Sequence, residues 1–134
     1  MIVVDASALA KMVLQEENWT EVEKQLTNNP YSLEYVLTEV TNAIWKECAL
    51  RRRITPSEAS VKFDALQLLT AHTLVLEGSS IYMKDGLKVA IREGVPIYDM
   101  LYILQAKKHG PLLTCDHDQK TLAEKMGVKT IYIK

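Results

Sequence analysis

The sequence predicts an α/β protein in which a parallel sheet is covered by helices on both faces. Short continuous apolar runs, Met1-Ile-Val-Val and Leu112-Leu-Thr, suit strands buried on both sides. Longer stretches with helix start and stop signals separate such runs, and strand–helix alternation implies parallel pairing through helical crossovers. Two acids, Asp5 and Asp116, stand just past predicted strands, at the edge where open parallel sheets bind ligands.

Each element has a local reason. After the first strand, Asp5-Ala-Ser-Ala opens a helix, with Asp5 or Ser7 able to cap it. A second helix runs from about Trp19 to Thr27 and stops at Asn28-Asn29-Pro30, and Tyr31 to Glu34 reads as a short strand. Val36, Val40, Ile44 and Cys48 recur every four residues, predicting a long amphipathic helix to about Arg52. Thr55-Pro-Ser-Glu starts a helix that continues to about Leu69. Thr73-Leu-Val-Leu-Glu is the next strand. Ser79 or Ser80 begins a helix that stops at Glu93-Gly94, ahead of Pro96. Tyr98 to His109 is helical and closed by Gly110-Pro111. After Leu112 to Thr114, a helix from Asp118 to Met126 with a Gly127 stop and a strand from Lys129 to Ile133 complete the chain. The 134 residues carry no repeat or linker and read as a single domain, 1–134.

Composition excludes several classes. The net charge of −1 gives no broad basic field of the kind that non-specific nucleic-acid binders carry, though a compact site can still act on a polyanion through cations. Cys48 and Cys115 fit neither a disulfide framework nor a zinc signature and read as reduced core thiols. Asp5 interrupts the first apolar run, so no secretory signal is expected, and no run reaches membrane-spanning length. The expected compartment is the cytoplasm.

The chemistry resides in four acids, Asp5, Glu39, Asp99 and Asp116, each inside or just past an apolar stretch. Taken singly, Asp5, Asp99 and Asp116 are explained by helix capping. Glu39, flanked by Leu37, Val40 and Ile44, is not a cap, and Asp99 precedes Met100-Leu101-Tyr102-Ile103. Brought together, four carboxylates demand a cation, and an all-oxygen set suits Mg²⁺ or Mn²⁺. Ser7 and Thr114, each two residues from one of these acids, are either orienting hydroxyls or local caps. Asn42 either reaches the same crevice or is exposed, and Asp118 reads first as the cap of the last helix. Arg51-Arg52-Arg53 complements a helix dipole or contacts phosphate. The stripe Val36, Val40, Ile44 and Cys48 with Trp45, and Val61, Phe63, Ala65, Leu66 and Leu69 after it, is either core or a surface for association.

Four segments, Val3-Val-Asp-Ala-Ser-Ala-Leu, Leu37-Thr-Glu-Val-Thr-Asn-Ala, Tyr98-Asp-Met-Leu-Tyr and Leu113-Thr-Cys-Asp, resemble the PIN domain family in order and spacing. The similarity is to its VapC-type toxins of prokaryotic toxin–antitoxin pairs. The resemblance implies a three-layer α/β/α fold with a parallel sheet of about five strands. It also implies a Mg²⁺- or Mn²⁺-dependent endoribonuclease that cleaves RNA with a metal-activated water. Asp5, Glu39, Asp99 and Asp116 would be the catalytic and metal-binding acids, with Ser7, Asn42, Thr114 and Asp118 around them. Asp116 and Asp118 compete for the fourth position, and Asp116 is preferred because it follows Thr114. The implied partners are single-stranded or loop RNA, a small antitoxin that inhibits by placing an Arg or Lys among the acids, and a second copy of the chain. Two rival readings stand beside it. A haloacid-dehalogenase-like phosphatase wants a second acid two residues after Asp5, where Ser7 stands, and a non-catalytic PIN-like scaffold would have lost its acids.

Overall fold

The structure is a computed structural model that describes residues 1–27 and 29–134. Five parallel strands form one sheet: β1 (Ile2–Val4), β2 (Pro30–Leu33), β3 (Val75–Glu77), β4 (Leu112–Thr114) and β5 (Thr130–Tyr132), in the order β3-β2-β1-β4-β5. Val3 is in register with Tyr31 on one side and Leu112 on the other. The direction of strand order reverses between β1 and β4, so a crevice opens at their carboxyl ends.

The helices are α1 (Ala6–Val13), α2 (Trp19–Gln25), α3 (Val36–Trp45), α4 (Pro56–His72), α5 (Ser80–Glu93), α6 (Ile97–His109) and α7 (His117–Lys125). All residues of β1 and β4 are buried, which requires cover on both faces and makes three layers. Helix α6 lies across β1, β2 and β4 with α5 against it, while α1 packs on β4 and gathers α2, α3 and α4. Beneath α6, Glu77 accepts hydrogen bonds from Tyr82 Oη (2.6 Å), His109 Nε2 (2.9 Å) and Gln105 Nε2 (3.1 Å). Burial opposes the Glu77 charge, but these donors outweigh it and hold the carboxyl below the usual range. This network pins α6 to the sheet and so fixes where its first turn, with Asp99, is presented.

The strands and helices expected from sequence all form, with shifts of a few residues at their ends. Thr55 and Glu58 close a reciprocal capping box on α4, which runs on to His72 rather than Leu69. The predicted stop at Asn28 lies outside the described residues. The long helix from Val36 departs from expectation: after Trp45 the chain makes a π-helical turn, Lys46–Leu50. Inside that turn Glu47, not Cys48, is the buried residue, neutralised by Arg51 (2.7 Å) and Arg53 (3.7 Å). Cys48 and Cys115 are half-buried free thiols rather than core residues, and burial pushes Cys115 up to about 12. The stripe offered as core or association surface divides between the two: Val36, Val40, Ile44 and Leu66 are buried, Cys48, Phe63 and Leu69 are half-buried, and Trp45, Val61 and Ala65 are exposed.

Gly110 ends α6 at φ 139 and ψ −165, a region only glycine occupies readily, and a Cβ there would run into the Met1 carbonyl oxygen. Gly110→Ala should therefore cost about 2–3 kcal/mol of unfolding free energy by urea titration. A cost indistinguishable from zero would show that the β1 entrance yields freely.

Candidate active site

The crevice at the carboxyl ends of β1 and β4 holds a cavity of about 130 Å³ lined by Asp5, Ser7, Glu39, Asp99, Tyr102 and Asp116. Among the described residues, no lysine, arginine or histidine lines it. All four acids singled out from sequence thus face one space, delivered by four different elements.

Asp5 is the floor. It leaves β1, caps α1 through the Ala8 N–H (3.1 Å) and is 4% exposed. Its Oδ1 also accepts from Ser7 Oγ at 2.7 Å, and its Oδ2 accepts from Thr114 Oγ1 at 2.5 Å. Ser7 Oγ in turn accepts from the Cys115 N–H and lies 3.2 Å from Thr114 Oγ1, stitching the ends of β1 and β4 together. Asp5 thus caps α1 and lines the cavity at the same time. Burial pushes the Asp5 carboxyl up to about 6 against the lowering effect of Thr114, Ser7 and Ala8, with Asp116 adding repulsion.

Glu39 is half-buried one turn into α3, where Tyr102 Oη donates to its Oε1 at 2.8 Å. Burial raises its pKa, the Tyr102 hydrogen bond resists, and Asp99 adds to the rise. Asp99 sits in the first turn of α6. The expectation of an apolar setting for it is corrected: Met100 to Ile103 turn into the core, while Asp99 itself projects to an exposed rim. Its pKa is nonetheless raised, first by the surrounding protein and then by Asp116 and Asp118. Asp116 is the other rim acid and caps α7 by accepting from the Asp118 and Gln119 N–H groups. The last helix is thus capped by Asp116 and not by Asp118, whose side chain is fully in solvent and outside the cavity. Asn42 is exposed and lines a neighbouring groove instead.

Two contributors escaped the sequence reading. Tyr102, one turn after Asp99, looked like ordinary core until its hydroxyl met Glu39; burial and the carboxylates hold its pKa far above normal, so it remains a donor. Gln119 is buried and donates from Nε2 to the Asp99 carbonyl at 3.0 Å, tying α7 to α6 and thereby Asp116 to Asp99.

The donor set is all oxygen, negative and without a neutralising base, which fits a hard divalent cation. Among the described residues no three His, Cys, Asp or Glu side chains converge on one ion position; both Asp5 oxygens are taken up by protein hydrogen bonds.

Residues 2–125 match the family model described as PIN domain. The chain belongs to the PIN domain family. Two curated relatives come from Pyrobaculum aerophilum. "Ribonuclease VapC3" is 34% identical over 128 residues, covering 92% of this chain and 93% of that protein. "Exonuclease VapC9" is 29% identical over 134 residues, covering 98% and 92%. Two crystal structures share the fold. PAE2754 from Pyrobaculum aerophilum has a TM-score of 0.63 at 20% identity, with 94% of each chain covered. FitAcB from Neisseria gonorrhoeae has a TM-score of 0.64 at 17% identity, with 98% and 96% covered. Membership of the PIN family removes the haloacid-dehalogenase-like alternative, and Ser7 is seen serving Asp5 as a hydrogen-bond donor rather than replacing an acid.

Proposed function

We propose that this PIN domain protein is the toxin nuclease of a toxin–antitoxin pair, a Mg²⁺- or Mn²⁺-dependent endoribonuclease acting as one unit over residues 1–134. The observation that carries the reading is the convergence of Asp5, Glu39, Asp99 and Asp116 on one cavity with no basic side chain in it. The name Ribonuclease VapC3 supports RNA hydrolysis, and the name Exonuclease VapC9 supports nuclease action. Internal cleavage is favoured because the rim acids stand in the open, so a strand can cross the crevice without presenting an end.

In this reading the four acids hold the cation, with Asp5 fixed from below and Asp99 and Asp116 contributed from the rim. A bound divalent ion would supply an acidified water as nucleophile and offset charge on the phosphate. The protein's own part is placement. Ser7, Thr114 and Ala8 N–H orient Asp5, and Tyr102 orients Glu39. Single-stranded or loop RNA suits a crevice better than a stacked duplex. In the test, purified protein should release fragments from single-stranded RNA with Mg²⁺ or Mn²⁺, stop with chelator, and leave a small phosphate monoester intact. Hydrolysis of the monoester alone would refute the assignment.

Partners follow the same reading. A small antitoxin would inhibit by placing an Arg or Lys among the carboxylates. Its apolar segment would take the groove between α1, α2 and α4 formed by Met12, Val13, Trp19, Val61, Ala65 and Leu69. A homodimer is supported by α5, where Met83, Leu87 and Ile91 form one exposed apolar stripe. The chain should sediment as a dimer at micromolar concentration and Ile91→Asp as a monomer; a wild-type monomer would remove this interface. Among the described residues no helix is long and apolar enough to cross a membrane, and a cytoplasmic site of action is proposed with the RNA substrate.

A further inference from the structure

Next to the carboxylate cavity lies a second, larger groove of about 340 Å³ between α1 and α3. The two spaces share Ser7 and Glu39 in their walls, so they form one continuous depression. Away from the acids the groove changes character: Ala10 and Ala43 give it a flat floor, Asn42 an amide, and Lys46 and Arg51 a positive end.

The π-helical turn builds that positive end. In a regular α-helix, residues five apart point about 140° away from each other around the axis. Here the Arg51 N–H bonds to the Lys46 carbonyl at 2.9 Å, an i→i+5 closure that brings residues 46 and 51 to the same side. Arg51 is also braced by buried Glu47 at 2.7 Å while its side chain stays half exposed. Lys46 is exposed and makes no ion pair among the described residues. On α3, Glu39, Asn42, Ala43 and Lys46 share one stripe, and Lys46 lies roughly 10 Å along the axis from Glu39.

A crevice whose charged side chains are acids repels a phosphodiester chain, and a net charge of −1 supplies no compensating field. From this juxtaposition we infer that the groove is an RNA-backbone subsite, in which Lys46 and Arg51 hold a phosphate next to the one being cleaved and Asn42 offers a further hydrogen bond. The inference rests on the nuclease reading above. It assigns Lys46 and Arg51 to substrate binding and not to the chemical step.

Lys46→Ala is the clean variant, because Lys46 is exposed whereas Arg51 also neutralises Glu47. With single-stranded RNA and Mn²⁺, Lys46→Ala should raise KM by about tenfold with kcat within about twofold. The slope of log KM against log salt should fall by about 0.7, the signature of one lost phosphate contact to a single strand. Lys46→Arg should restore both quantities. A dinucleotide too short to span the groove should show no difference between the proteins. Wild-type cleavage with KM and salt slope unchanged in Lys46→Ala would overturn the subsite alone, as would a loss confined to kcat. Absence of RNA cleavage by the wild type would instead overturn the nuclease reading, and the subsite with it.

Discussion

Asp99→Asn should lower metal-dependent RNA cleavage by on the order of a thousandfold or more while leaving the fold intact. Residues that act as a unit on one centre each cost nearly the whole effect when removed. Asp99 lies at the exposed rim, so its amide adds no buried unsatisfied group, and the repulsion it exchanges with Asp116, Asp118 and Glu39 is relieved. Initial rates on a labelled single-stranded RNA, read beside the thermal midpoint, separate lost chemistry from lost structure. Cleavage within about tenfold of wild type by a folded Asp99→Asn protein would remove Asp99 from the assigned set.

The metal-free protein should lose stability as pH rises from about 5 to 7.5, and Asp5→Asn should remove much of that loss. Asp5 is pushed up to about 6, above its value of about 3.9 in an unfolded chain. A folded-state pKa above the unfolded one means that ionisation opposes folding. The protonated form's contribution is full below about pH 4 and is lost as pH rises through about 6, an effect of roughly 3 kcal/mol for this one group. Glu39 and Asp99 are shifted in the same direction. Glu58, Glu77, Glu93 and Glu124 are shifted the other way, and their contributions are lost only as pH falls through still lower values, outside this window. Asn caps a helix as well as Asp does, so Asp5→Asn keeps the bond from the Ala8 N–H. It should be more stable than wild type by roughly 1–3 kcal/mol at pH 7.5, with the gap closing toward pH 4.5. Asp5→Ala, which loses the cap, should give up about 1 kcal/mol of that advantage. Added Mg²⁺ should stabilise wild type more than either variant. Asp5→Asn less stable than wild type across the whole range would show that the carboxylate is there for structure alone.

The fold was legible where local rules decide. Continuous apolar runs at Ile2–Val4 and Leu112–Thr114 gave buried parallel strands, and Thr55-Pro-Ser-Glu gave the start of α4. The acids were legible because a carboxylate beside an apolar run needs a reason, and Asp5 and Asp116 stood at strand ends. What stayed hidden depends on contacts between distant segments. Nothing in the four-residue periodicity of Val36, Val40, Ile44 and Cys48 announces an i→i+5 closure after Trp45. The clue to it was electrostatic: Glu47 and Arg51, four apart, form the pair that lets a glutamate be buried there. Tyr102 resembles any aromatic core residue until α6 is laid beside α3. Which of the stripe residues are buried and which stay exposed could not be read from one helix, because burial against α1 and α4 is a property of the assembled layers. The proposed dimer contact rests on Met83, Leu87 and Ile91 of α5, exposed apolar residues that the sequence reading did not single out.

The four carboxylates that line one cavity should bind a divalent cation on which RNA cleavage depends. Calorimetric titration of Mn²⁺ into metal-free protein at pH 7.5 tests it most directly, run in parallel on wild type and Asp99→Asn. The wild type should bind, and a repeat near pH 6, where burial leaves Asp5 about half protonated, should add proton release to the binding heat. Asp99→Asn should bind at least about tenfold more weakly. Equal affinity in the two proteins, or no binding by a wild type that still cleaves RNA, would contradict the account.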